Sequence, residues 1–347
     1  MEKLYRIEKD FLGEKRIELN KYYGIQTLRA KENFNITKTD ISLFPNFIKS
    51  LAKVKKACAL TNFELGDLTD IQKDAIVQAC NEIIDGKFHD QFIVDPIQGG
   101  AGTSTNMNAN EVIANRALEI LGHPKSSYNI IHPNNHINMS QSTNDVYPTA
   151  IKLTLHELIY KLKDALRFLR DCFEEKAIEF KDVLKMGRTQ LQDAVPMTLG
   201  QEFKTFAVMI DADIYRLRDV QAHLREVNLG ATAIGTGINS KAAYQRKVIS
   251  NLREVTGVDY VAAGDLIEAT QDTGSFVHIS GMLKSIAIKV SKICNDLRLL
   301  SSGPRAGFNE INLPPLQPGS SIMPGKVNPV MPEVVNQVAF EVIGADM

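Results

Sequence analysis

The stretch IKLTLHELIYKLKDALRFLRDCFEEKAIEF, residues 151–180, carries apolar residues at Ile151, Leu155, Leu158, Leu162, Leu166, Leu169 and Phe173 and ends on Phe180. Spacings of three and four place these side chains on one stripe of an α-helix rather than on one face of a strand. About 30 residues at 1.5 Å each make a rod of about 45 Å, longer than a small domain is wide. Such a helix is stable only when its stripe packs on neighbours. Two further stripes supply them: Leu199, Phe203, Phe206, Ile210, Ile214, Leu217, Val220, Leu224 and Val227, then Ile279, Leu283, Ile286, Val290, Ile293, Leu297 and Leu300. The expected fold is mainly α, a central bundle of long helices that continues into partner subunits.

Outward from the bundle the texture changes. Tyr5 to Glu18 alternates around Leu12-Gly13, which predicts a small hairpin, and amphipathic segments near 46–63 and 70–85 predict helices. From 86 to 150 Gly, Asn, Ser, Thr and Pro dominate, a composition that reads as loops at a surface or around a site. Polar, Gly-rich segments also separate the long helices at 185–196, 228–240 and 301–329, and a final helix is expected near Pro332. The expected division is an N-terminal mixed α/β domain over 1–145 and a helical-bundle domain over 146–347.

The 347 residues include 40 Lys+Arg against 41 Asp+Glu, a formal charge of -1, and no concentrated basic patch. That balance argues against nucleic-acid and anionic-lipid partners. No apolar run approaches the ~20 residues that span a bilayer, and the first residues lack a signal-peptide core. Cys58, Cys80, Cys172 and Cys294 lie too far apart for a C-x-x-C motif and read as reduced buried thiols. A cytoplasmic location is expected.

The polar stretches carry the chemistry. In QGGAGTSTNMNANE (98–111), Thr103, Ser104, Thr105 and Asn106 offer neutral donors, and SQSTND (140–145) repeats the device with Ser142, Thr143 and Asn144. Two readings fit both: a cradle for a small anion, and a pair of helix N-caps. They are compatible, since a capped helix start is itself an anion site. His132 and His136, four apart around Pro133, are too few and too irregularly placed for a zinc site, so no metal and no cofactor are expected. In GSSIMPGKVN (319–328) two serines, small residues with free backbone N–H groups and Lys326 suit a mobile loop closing over a carboxylate. A rigid interhelix connection is the other reading of that segment.

Taken together, GSSIMPGKVNP, QGGAGTSTNMNANE, HPNNHINMSQSTND and GRTQLQDAVPMTLGQE resemble the active-site segments of the aspartase/fumarase superfamily, in the expected order and across essentially the whole chain. The resemblance implies a mixed N-terminal domain, a bundle of long helices, a small C-terminal domain and a homotetramer with each site built from three subunits. It also implies roles. Ser320 corresponds to the general base. Lys326, Asn328 and Thr189 correspond to groups holding the alpha-carboxylate, and Thr103, Ser142, Thr143 and Ser321 to those holding the carboxylate that takes up charge. Asn144 lies near the amino group. The activity implied is reversible elimination of ammonia from L-aspartate to give fumarate. Hydration of fumarate and a non-catalytic, truncated member of the fold are the alternatives. Gln190 favours elimination: fumarases of the superfamily typically carry His after the Arg-Thr pair, and an amide cannot exchange a proton to activate water. The superfamily's chains continue past the position of Met347, so this chain alone is expected to expose an apolar bundle face, to aggregate and to be weakly active or inactive.

Overall fold

The computed structural model describes residues 4–346. In chain order the helices are α1 (Ile25–Asn33), α2 (Pro45–Glu64), α3 (Asp70–Ile84), α4 (Thr103–Ile120), α5 (Thr143–Glu179), α6 (Leu199–His223), α7 (Tyr244–Thr256), α8 (Leu266–Gln271), α9 (Gly274–Leu300) and α10 (Val330–Ala345). The strands are β1 (Tyr5–Asp10), β2 (Gly13–Glu18), β3 (Leu184–Thr189), β4 (Gln192–Thr198), β5 (Glu226–Val227) and β6 (Val261–Ala262), paired as three separate two-stranded ladders. Two compact units result, one of Met1–Glu157 with Leu224–Asp272, the other of Leu158–His223 with Thr273–Met347.

In the first unit β1 and β2 form the expected hairpin, with Asp10 opposite Gly13. α2 starts on Pro45, whose missing N–H costs nothing in a first turn. α3 starts on a reciprocal cap between Thr69 and Gln72. These helices pack with α4 and α7 around Leu51, Val54, Ile76, Ile83, Val112, Ile113, Val248 and Leu252, all fully buried.

The expectation of loops across 86–150 is corrected at α4, which is helical and almost wholly buried. Its asparagines face inward, and Asn108 and Asn115 have both ends of their amides paired there, which hides the helical period from the sequence. Asn108 accepts from Ile93 N at 3.0 Å and donates to Gln91 O at 2.9 Å, while Asn115 accepts from Ser126 N and donates to Tyr22 O, both at 2.8 Å. Glu111 of α4 caps α1 from outside: its carboxylate accepts from Gly24 N, Gln26 N, Thr27 N and Thr27 Oγ1 at 2.6–3.1 Å. A Cβ on Gly24 would lie 2.7 Å from both the Glu111 and the Glu8 carboxyl groups, so only glycine fits.

α5 begins at Thr143, earlier than its apolar stripe, and runs through Pro148. Pro148 has no N–H for the carbonyl of Asn144 four residues back. Asn228 Nδ2 donates to that carbonyl instead, at 3.0 Å. In the second unit α9 packs against α6 and α10. Phe173, Phe203 and Phe206 form a ring cluster with centroids 5.5–6.2 Å apart. Asp213, fully buried, is paired with Lys289 and Arg216. The stretch 185–196, read as a polar, Gly-rich segment between the long helices, lies in the β3–β4 hairpin. No helix among the described residues is long and apolar enough to cross a membrane.

Candidate active site

Within the first unit the starts of α4 and α5 adjoin. Gly102, at φ +89°, lies so close to the Tyr147 ring that a Cβ would sit 2.5 Å from it. That contact sets Thr103 beside the first turn of α5. Thr103 is exposed and its Oγ1 donates to Gly100 O at 2.7 Å, so it must rotate to donate to a ligand. Thr105 and Asn106, read as further donors to an anion, are turned inward: Thr105 bonds Gln98 Oε1, and Asn106 Nδ2 donates to Asn138 Oδ1 and Thr143 Oγ1, each at 3.0 Å.

At the start of α5 the N-cap reading holds. Asn144 N donates to Ser142 Oγ at 3.2 Å, and Ser142 N to Asp145 Oδ1 at 2.9 Å. Asp145 is fully buried and also accepts from Gly230 N and Thr232 N, which ties the 228–232 segment to this helix start. Burial pushes its carboxyl up to about 6, and the three backbone N–H groups hold it from rising further. Ser142 and Thr143 therefore each accept from inside, which leaves their own O–H groups to donate elsewhere. Asn144 Nδ2 donates one hydrogen to Ala233 O at 2.7 Å, which orients the amide and leaves its carbonyl oxygen as an acceptor.

The second unit carries the remaining candidates. β3 and β4 pair from Leu184 with Thr198 to Thr189 with Gln192, so Gln190 and Leu191 make the two-residue turn, at φ +51° and +64°. Thr189 and Gln190 are exposed at that tip. Arg188 pairs with Glu310 and lies 4.2 Å over the Phe308 ring, and Glu310 also pairs with Lys185 at 3.1 Å. These contacts fasten the hairpin to the segment that leads into the 319–328 loop.

That loop is closed on itself at its neck: Gly319 N donates to Lys326 O at 2.8 Å and Asn328 Nδ2 to Gly319 O at 3.0 Å. Inside it Ser320 Oγ accepts from Ile322 N at 3.3 Å and Met323 N at 3.1 Å. The backbone N–H groups read as free are, at these two residues, directed at the serine oxygen. Two amides on one hydroxyl oxygen favour its alkoxide, as an oxyanion hole does. Ser321 and Lys326 are exposed, and Ser320, Met323, Gly325 and Lys326 line a cavity of about 380 Å³.

Among the described residues no group of three or more His, Cys, Asp or Glu side chains could hold a metal ion. His132 Nδ1 accepts from Asn134 N and Asn135 N, and His136 Nδ1 from His132 N. Both are ordinary hydrogen-bonding histidines, and burial lowers both pKa values.

Comparison with known proteins bears on the same segments. A family described as Lyase matches residues 13–344. The chain belongs to the aspartase/fumarase superfamily. The aspartate ammonia-lyase of Helicobacter pylori is 62% identical over 342 residues, covering 99% of this chain and 73% of that one. Relatives of the same name from Pseudomonas aeruginosa, Bacillus subtilis and Escherichia coli are 56–60% identical. Among solved superfamily structures, a fumarate lyase:delta crystallin from Brucella melitensis aligns with TM-score 0.97 at 57% identity, covering 99% of this chain and 75% of that one. A class II fumarase from Schistosoma mansoni aligns at 0.95 but with 35% identity, over the same shares. The fold is thus shared with a fumarase at 35% identity, while the sequence lies much nearer the relatives named aspartate ammonia-lyase. Sequence reasoning missed Lys55, Asn138 and Glu310, which hold the site from distant elements and leave no local spacing to read.

Proposed function

We propose that the protein eliminates ammonia from L-aspartate to give fumarate, and runs the addition in reverse, with Ser320 as the base. It is a carbon–nitrogen lyase. The observation that carries the chemistry is Ser320 Oγ receiving two backbone N–H groups beside exposed Lys326. A serine hydroxyl is too weak an acid to ionise unaided, and the two backbone donors with the nearby Lys326 support the reading because each favours the alkoxide over the alcohol.

The Ser320 alkoxide takes a proton from the carbon beside the side-chain carboxylate. The freed electron pair moves into that carboxylate, which becomes doubly negative. Thr103, Ser142, Thr143 and Ser321 hold it with neutral donors, each worth about 3 kcal/mol by analogy with oxyanion holes. The pair returns to form the double bond as the C–N bond breaks and ammonia leaves. Thr189, Lys326 and Asn328 hold the alpha-carboxylate, and Asn144 presents its carbonyl oxygen to the ammonium. A substrate ammonium, titrating near pH ~8 or above, arrives protonated and departs directly as neutral ammonia, the C–N bonding pair going to nitrogen. Gln190 orients and does not exchange protons. The reading includes a cytoplasmic homotetramer whose sites draw residues from three subunits, supported by apolar side chains exposed on the long helices: Phe168, Val208, Tyr215, Ile288 and Phe340.

Fumarate absorbance, followed with L-aspartate and with malate, tests the reaction. Fumarate is expected from aspartate alone; turnover of malate without aspartate would reject the reading.

A further inference from the structure

Lys55, on α2, is 1% exposed, and its ammonium donates to Asn138 Oδ1 at 2.9 Å and Gln141 Oε1 at 2.8 Å. An ammonium has three N–H bonds and no lone pair, so every group facing it must accept. This fixes the Asn138 amide with its oxygen toward Lys55. Two more donors converge on that oxygen, Asn106 Nδ2 at 3.0 Å and Asn110 Nδ2 at 3.2 Å. Turning either amide over would set two carbonyl oxygens against each other. Both asparagines keep this orientation although their own Oδ1 atoms are buried without a partner, an arrangement that costs stability. Their direction is therefore dictated from the Asn138 side.

The second Asn106 Nδ2 hydrogen goes to Thr143 Oγ1 at 3.0 Å. A threonine hydroxyl can donate or accept, but its hydrogen cannot point at the N–H it already accepts from beneath, which leaves that hydrogen for the outer side. We propose that Lys55, Asn138 and Asn106 form a polarity relay that fixes Thr143 as an outward hydrogen-bond donor, with Asn106 the positioning residue. This rests on the reading above, in which Thr143 meets the carboxylate that takes up charge. A carboxylate gaining a second charge is held by donors and repelled by lone pairs, so a hydroxyl locked in the donor sense needs no reorientation as charge develops. The effect of the relay falls on kcat more than on KM.

The test is a double-mutant cycle of Asn106→Leu and Thr143→Val, with kcat and KM for L-aspartate and the thermal midpoint measured for all four proteins. Asn106→Leu is expected to lower kcat about tenfold when Thr143 is present and less than twofold in the Thr143→Val background, with the same fall in midpoint in both. An equal loss of kcat in both backgrounds, or no loss in either, overturns the relay. If the leucine variant does not fold, Asn106→Ala carries the same comparison. If the unmodified protein releases no fumarate from aspartate, it is the functional reading that fails. The cycle is then read from calorimetric binding of succinate, where the same non-additivity is expected and additivity rejects the relay.

Discussion

Glu111 is a residue at which local chemistry and global stability meet. Its carboxyl is fully buried and is pushed by burial from its ordinary 4.5 up to about 7, with the nearby Glu8 charge adding to the rise and the Thr27 and Gln26 donors opposing it. A carboxyl that holds its proton more tightly when folded contributes stability that is complete below pH about 4.5 and is lost as pH rises to about 7. Glu111→Gln removes this dependence. Relative to that variant, the native protein should lose on the order of 3 kcal/mol of unfolding free energy between pH 4.5 and 7.5, measured by urea unfolding; a gap constant across the window would contradict it. At this scale the hydroxyls of 103–105, 142–143 and 320–321 stood out in the sequence as clustered neutral donors in polar loops, while Thr189 was singled out only through the superfamily resemblance. The groups that orient them did not stand out. Lys55 reads as one of several lysines on an amphipathic helix, and nothing in its neighbours tells that Asn138, over 80 positions away, receives its proton.

The long helices could be read because their packing faces are apolar at spacings of three and four. α4 could not, because its inward face is built of asparagines whose partners come from other elements. The β3–β4 hairpin was hidden too: its turn, Gln190-Leu191, uses left-handed backbone without the Asn or Gly that usually announces it. α5 shows how a distant side chain rescues an element. Pro148 breaks the hydrogen-bond ladder one turn into the helix, and Asn228 restores the lost partner of the Asn144 carbonyl. Asn228→Leu leaves that carbonyl and the start of the helix unsupported. We expect a loss of about 1–3 kcal/mol in thermal or urea unfolding and a raised KM, because Ser142, Thr143 and Asn144 sit on the same turn. An unchanged midpoint with unchanged KM would show that the helix start needs no such brace.

Over the whole chain, the central problem is how neutral groups tolerate an intermediate with two negative charges. The answer offered is that donors are aimed in advance, Ser142 and Thr143 by what they accept from within, while Ser320, the base, is held by the amides of its own loop. Assembly completes the account, since exposed Val208 and Phe340 lie on helices whose other faces are packed. If the proposed tetramer forms through these faces, Val208→Glu with Phe340→Glu should lower the mass seen by light scattering below that of the unmodified protein and remove turnover together with it. An unaltered mass would place the assembly surface elsewhere. The most direct measurement is made on Ser320→Ala, assayed for fumarate release from L-aspartate and, by calorimetry, for succinate binding. The account predicts turnover reduced to background while succinate still binds with an affinity within a few-fold of the unmodified protein. Turnover that survives the loss of this hydroxyl would contradict it.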